Sequence, residues 1–226
     1  MIYWHMCGRF ARSSKPDVII REFGVRKALA EPEPNYNISP GQNIVIITDQ
    51  GERQLVACRW GFIPAWTKEQ SSGYKMINAR AETIVEKPAF REAFLKRRCL
   101  VIADGFFEWE KGMKGQVPFY ICFRSGKPFG FAGLYNVRTS PEGKDICTCT
   151  VITTGANELC SQVHDRMPAI IPKDKEVLWL DPAVRDPDIL LGLLRPYPAE
   201  EMEMYLVSSS VNSPKFDSPD AIQPVV

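Results

Sequence analysis

Polar and apolar residues alternate, or apolar residues run together briefly, along most of the chain; a helical period surfaces only in short segments. Residues 44–48 and 54–60 read as strands joined by Asp49-Gln50-Gly51, and the continuous apolar run 99–103 reads as a core strand. Residues 108–111, 117–123 and 129–137 follow. They are separated by the turn runs Gly112-Met113-Lys114-Gly115 and Ser125-Gly126-Lys127-Pro128, which predicts an antiparallel meander. Residues 146–153 form a further strand and 205–208 a closing one. Helical spacing predicts a helix capped by Ser14, with Pro16 in its first turn, Val18, Ile19 and Phe23 on its apolar face and Gly24 near its end. A second helix spans residues 88–97 and buries Phe90 and Phe94; shorter ones cover 157–163, 173–180 and 188–194. Glu31-Pro32-Glu33-Pro34-Asn35 reads as the most mobile loop of the first half. Strands in runs with helices at the periphery give an α+β class: a mainly antiparallel, barrel-like sheet with peripheral helices. No Gly-, Ser- and Pro-rich linker splits the chain and no repeat occurs.

The 226 residues suit one large domain, and 45% hydrophobic content supports a real core. Lys and Arg total 28 against 27 Asp and Glu. That balance excludes a broad polyelectrolyte grip on nucleic acid but leaves room for a local basic groove. Seven cysteines, an odd number with no Cys-x-x-Cys pair, argue against a disulfide framework and for a reduced, cytoplasmic compartment. Cys147 and Cys149 alternate on one strand face and read as buried small hydrophobes. No short-spaced ligand set for a metal is present, no cofactor motif occurs, and no segment has the length of a membrane span.

Candidate chemistry centres on Cys7 and His164, one of only two histidines. A thiol with a distant histidine and an orienting polar group is the kit of cysteine nucleophilic catalysis. Arg9, two residues on, is expected to lower the thiol pKa. Glu108 stands between Phe107 and Trp109. It is either a solvent-facing strand residue or a carboxylate in an apolar pocket with a raised pKa, fit for general acid work. Asn78 and Arg80 alternate on one strand face. Trp66, after the turn Ile63-Pro64-Ala65, is either a platform for stacking a base or a lid on the core. Arg9, Arg80 and Arg166 are candidate phosphate ligands, whereas Lys96-Arg97-Arg98 reads as a solvated helix end.

Taken in order, Cys7-Gly8-Arg9-Phe10, Tyr36-Asn37-Ile38-Ser39-Pro40-Gly41, Arg59-Trp60-Gly61-Phe62-Ile63-Pro64-Ala65-Trp66, Ile77-Asn78-Ala79-Arg80, Gly105-Phe106-Phe107-Glu108-Trp109 and His164-Asp165-Arg166-Met167-Pro168 closely resemble the SRAP family. These are the SOS response-associated peptidases, also called abasic-site processing proteins. The resemblance covers nearly the whole chain from Cys7 onward. It implies an α+β fold around a barrel-like sheet, a groove for single-stranded DNA and covalent capture of abasic sites. Cys7 would be the nucleophile, with Asn78, Glu108 and His164 as partners. Arg9 and Arg80 would hold flanking phosphates, and Pro40, Trp66 and Trp109 would line the DNA path. No metal, cofactor or membrane enters this chemistry.

In the family the cysteine follows the initiator methionine and becomes the first residue of the mature protein. Here residues 1–6 precede it. They read as a leader before a single domain of residues 7–226: either translation starts at Met6, the favoured reading because Met6-Cys7 reproduces the family start, or the leader is removed, with self-processing by Cys7 and His164 as the autopeptidase activity the resemblance implies, or the protein departs from this chemistry. Two other readings stay open at this point. One is a cysteine peptidase acting in trans; the other is a non-covalent single-stranded DNA-binding module.

Overall fold

The computed structural model describes residues 7–67, 76–112, 115–139 and 143–225. The first strands among them are β1 (Phe10–Arg12), β2 (Lys27–Ala28), β3 (Asn35–Ile38), β4 (Asn43–Asp49), β5 (Arg53–Trp60) and β6 (Asn78–Arg80). Next come β7 (Arg98–Ala103), β8 (Gly105–Gly112), β9 (Gly115–Phe123), β10 (Phe129–Thr139) and β11 (Asp145–Gly155), then β12 (Arg166–Pro168) and β13 (Met202–Leu206). The helices are α1 (Pro16–Phe23), α2 (Pro88–Lys96), α3 (Glu176–Leu180) and α4 (Pro187–Gly192).

Strands β11, β10, β7, β4 and β5 pair successively and antiparallel, and β5 returns to pair with β11. The ring is therefore a closed five-stranded barrel, as the alternating strands led us to expect. Five strands cannot alternate direction all the way round, so one pair must run parallel. That pair is β5–β11, at Thr148–Arg59 and Cys149–Trp60. β6 continues along the same edge of β11 in parallel, while β12 pairs with β11 antiparallel from Thr153 to Gly155. The end of β11 is thus flanked by the strands that carry Asn78, Arg80 and Arg166.

A second, antiparallel sheet has the order β13-β9-β8-β1-β3. Its Phe10 and Phe106 pack edge-on against Phe131 of the barrel, with ring centroids 5.8 and 6.0 Å away, and Phe10 lies 5.1 Å from Trp60. The alternate barrel positions, such as Val45, Ile47, Leu100 and Ile102, share a core with residues of α1 to α4. Alternation thus places one set of side chains against the second sheet and the other against helices.

The meander expectation is corrected here. β8 and β9 form a hairpin, but β10 pairs with β7 and β11 rather than with β9. The turn after Phe123 is held to residues before β13 by Arg124, whose N–H donates to the Glu201 carbonyl at 3.0 Å. This redirects the chain into the barrel, and Phe123 and Phe129 pack across the corner at 4.4 Å.

The Ser14 cap is also corrected: Lys15 occupies the N-cap without a side-chain bond, and the Ser14 N–H donates to Asp104 at 2.8 Å. Gly24 closes α1 with φ 61°, a left-handed torsion that glycine adopts at little cost. Residues 157–163 hold only a 3-10 turn, Cys160–Gln162. Asn35, expected in a loop, opens β3. Cys149 is fully buried, while Cys147 near the strand start is only partly covered.

Arg98 overturns the expectation of a solvated basic cluster. It is 4% exposed, and its guanidinium donates to the carbonyls of Phe94, Trp179, Asp181 and Val184. Carbonyls at the ends of α2 and α3 lack helical partners, and one buried arginine supplies several donors at once. No described helix is long and apolar enough to cross a membrane.

Candidate active site

Cys7 lies just before β1, 4% exposed. Among the described residues it is the sole non-glycine with positive φ, at 47°. Pairing of β1 with β8 sets Phe10 opposite Phe106 and carries Cys7 alongside Glu108. The Cys7 N–H donates to Glu108 Oε1 at 2.9 Å. Asn78 Nδ2 reaches the Cys7 carbonyl at 3.5 Å, and the Cys7 Sγ lies 4.0 Å from the Arg166 carbonyl.

Glu108 is 4% exposed. Burial lifts its carboxyl pKa from 4.5 to about 7, against the opposing effect of its bonds to Cys7. Of the two readings open for this residue, the structure selects the apolar pocket. Burial first, and the Glu108 charge next, push the Cys7 thiol well above its ordinary value. The expectation that Arg9 lowers it is corrected. Arg9 NH1 turns away to Asn37 Oδ1 at 2.6 Å and to the Val211 carbonyl at 2.8 Å, and Arg166 is the cation that acts to lower the thiol.

His164 follows the Cys160–Gln162 turn, which its N–H joins through the Cys160 carbonyl at 2.9 Å. Its Nδ1 accepts the Arg166 N–H at 3.0 Å, so the neutral ring carries its proton on Nε2. Asp165 Oδ1 lies 3.0 Å from the same Nδ1. The structure brings Cys7, Asn78 and Glu108 together and sets the turn from His164 to Arg166 against the thiol.

The sequence-predicted DNA contacts fall into two groups. Pro40, Arg80 and Trp66 are exposed, Trp66 to 68%. The loop that carries Trp66 is tied beside β6, because Phe62 N–H donates to the Met76 carbonyl and Trp60 Nε1 to the Ile77 carbonyl. Arg9 and Trp109 are buried. The Arg9 guanidinium stacks over Trp109 at 5.7 Å, and Trp109 Nε1 donates to Asn212 Oδ1 at 2.6 Å. Both hold the segment after β13, as does Asn37, whose Nδ2 donates to the carbonyls of Val211, Ser213 and Phe216.

Sequence reasoning did not single out Asn37, Cys160, Asp165 or Glu82. Asn37 and Asp165 stood inside motifs that were read for their neighbours. Glu82 follows Arg80 by two residues and forms an ion pair with Arg166. Among the described residues no cluster of His, Cys, Asp and Glu has the arrangement to hold a metal ion, and the seven cysteines are free thiols.

The chain is 49% identical over 222 residues to the abasic site processing protein YoqW of Bacillus subtilis, covering 96% of this chain and 99% of that one. It is 32% identical to the abasic site processing protein HMCES of Gallus gallus, over 85% of this chain and 66% of that protein. A crystal structure of a Bacteroides thetaiotaomicron protein superposes with a TM-score of 0.87 at 29% identity, covering 97% of this chain and all of that one. The family model described as SOS response associated peptidase matches residues 6–214, from just before the buried thiol to just beyond the segment that Arg9 and Asn37 hold, and so the chain belongs to the SRAP family.

Proposed function

We propose that this protein captures abasic sites in single-stranded DNA covalently, through a thiazolidine formed on Cys7 when Cys7 leads the chain. The observation that carries the reading is the 2.9 Å bond between the Cys7 nitrogen and a carboxylate whose pKa burial raises to about 7. Family membership and the names of the bacterial and vertebrate relatives support it.

The ring-opened abasic sugar presents an aldehyde. Glu108 takes a proton from the Cys7 α-ammonium, and the free amine adds to the aldehyde carbon to give a carbinolamine. Protonation of its hydroxyl releases water and leaves an imine. The Cys7 thiol then adds to the imine carbon while the nitrogen takes up a proton, closing the five-membered ring. The net change is aldehyde plus aminothiol giving thiazolidine plus water. Closure consumes the imine that would otherwise promote β-elimination and strand cleavage. His164 moves the remaining protons, and Asn78 fixes the Cys7 carbonyl. Arg80 and Arg166 meet phosphates, and Trp66 and Pro40 line the strand. Arg9 and Trp109 act from beneath this path by fixing the segment from Ser208 to Asn212.

The raised thiol pKa weighs against a peptidase acting in trans, which depends on thiolate. Addition to an imine already tethered to the same residue benefits from proximity instead. The test mixes the chain beginning at Cys7 with an abasic oligonucleotide and resolves the products on a denaturing gel. A denaturant-resistant adduct that Cys7→Ala abolishes is the expected result. An adduct of equal yield and heat stability from Cys7→Ala would overturn the reading, as would stable binding with no covalent product.

A further inference from the structure

We propose that Glu82 is a specificity-determining residue, an internal anion that competes with DNA phosphate for Arg166. The inference rests on reading the site as one that binds single-stranded DNA.

Glu82 lies in the 3-10 turn Ala81–Thr83, directly after β6. Its carboxylate meets the Arg166 guanidinium in a bidentate pair, at 2.5 Å from NH1 and 2.9 Å from NH2. Arg166 NH2 also donates to the Thr153 carbonyl at 2.7 Å and to Thr153 Oγ1 at 3.2 Å. The two partners are unequal. The Arg166 side chain is 12% exposed and is braced by β11, whereas that of Glu82 is 52% exposed. The guanidinium therefore stays in place without Glu82, and an anion arriving from solvent meets the carboxylate first. Exposed Arg80, on the adjoining strand, also acts on the Glu82 charge.

A guanidinium fork accepts carboxylate and phosphate with the same geometry, so a phosphate replaces Glu82 rather than adding to it. The exchange reduces the gain from every phosphate contact at this point. An intact strand is held by reversible contacts alone, so the competition shortens its stay. An abasic strand suffers the same loss at encounter but is then retained by the bond to Cys7. Glu82 thereby biases the protein toward strands that can react.

The test measures binding of an intact single-stranded oligonucleotide by fluorescence anisotropy at one fixed salt concentration, for the wild type, Glu82→Gln, Arg166→Gln and the double variant. Glu82→Gln should bind about two- to fivefold tighter, the range for loss of a competing exposed ion pair. The gain should vanish in the Arg166→Gln background. Glu82→Ala carries the same expectation and serves if the glutamine variant misfolds. Unchanged or weaker binding by both Glu82 variants would show that Glu82 holds Arg166 in place and would overturn the proposal. An equal gain in the Arg166→Gln background would overturn it too, by showing a general charge effect. Covalent capture by the wild type alongside such results would leave the proposed function standing; no wild-type binding at all would sink both.

Discussion

Replacing Glu108 with glutamine removes the titrating group bonded to the Cys7 nitrogen while keeping the shape of the side chain. In the folded chain with Cys7 amide-linked, burial holds the carboxyl pKa at about 7, against 4.5 for an ordinary glutamate. A raised folded pKa favours the neutral acid. Its contribution to stability is therefore complete below about 4.5 and is lost as pH rises through about 7. The gap between those values corresponds to about 3 kcal/mol over the full swing. Most of it falls between pH 5 and 8, and in a domain of this size it lowers the melting temperature by roughly 5–10 °C. Thermal unfolding of the full chain across that range should show the wild type losing ground to Glu108→Gln as pH rises. In a chain beginning at Cys7, the adjacent ammonium pulls the carboxyl back toward its ionised form, so the same comparison should flatten. Adduct formation by the trimmed Glu108→Gln protein should slow by about 10²- to 10⁴-fold, the usual range for a lost general acid or base. A melting difference for the full chain that stays constant from pH 5 to 8, or that runs in the opposite direction, would refute the buried-carboxylate argument.

Asn37→Ala should destabilise the protein by about 2–4 kcal/mol, because the Val211, Ser213 and Phe216 carbonyls and the Arg9 guanidinium lose a partner. Limited proteolysis should then cut after β13 sooner than in the wild type. Trp66→Ala should weaken binding of intact single strands by about 1–3 kcal/mol through lost base stacking. It should leave the melting temperature unchanged, since the ring is 68% exposed. The chain beginning at Met1 should form no thiazolidine, because an amide nitrogen is not basic. Mass spectrometry showing an adduct on Cys7 with residues 1–6 still attached would refute that chemistry.

The β4–β5 hairpin was legible because both strands alternate cleanly around Asp49-Gln50-Gly51. The turn at Ser125-Gly126-Lys127-Pro128 is likewise polar and glycine-bearing, yet it carries the chain from one sheet into the other. Local turn chemistry fixes that the chain bends, not which strand receives it. Arg98 was misread because a run of cations ordinarily faces water, and the carbonyls it satisfies lie on α2 and beyond α3, far apart in sequence. At the site, Cys7, Asn78 and Glu108 were found by residue type and motif. The Arg9 effect on the thiol was inferred from nearness along the chain. In space, Asn37 and Val211 take that guanidinium, and the nearby charges that act on Cys7 come from Glu108 and Arg166.

The backbone at Cys7 has one more consequence. Its φ of 47° lies where a side chain crowds the neighbouring backbone, at a cost of roughly 1–2 kcal/mol. That torsion is defined by the carbonyl of the preceding residue. In a chain that begins at Cys7 the torsion no longer exists, and its cost goes with it. Removal of residues 1–6 from the folded chain would release that strain, whereas removal from the unfolded chain would release none.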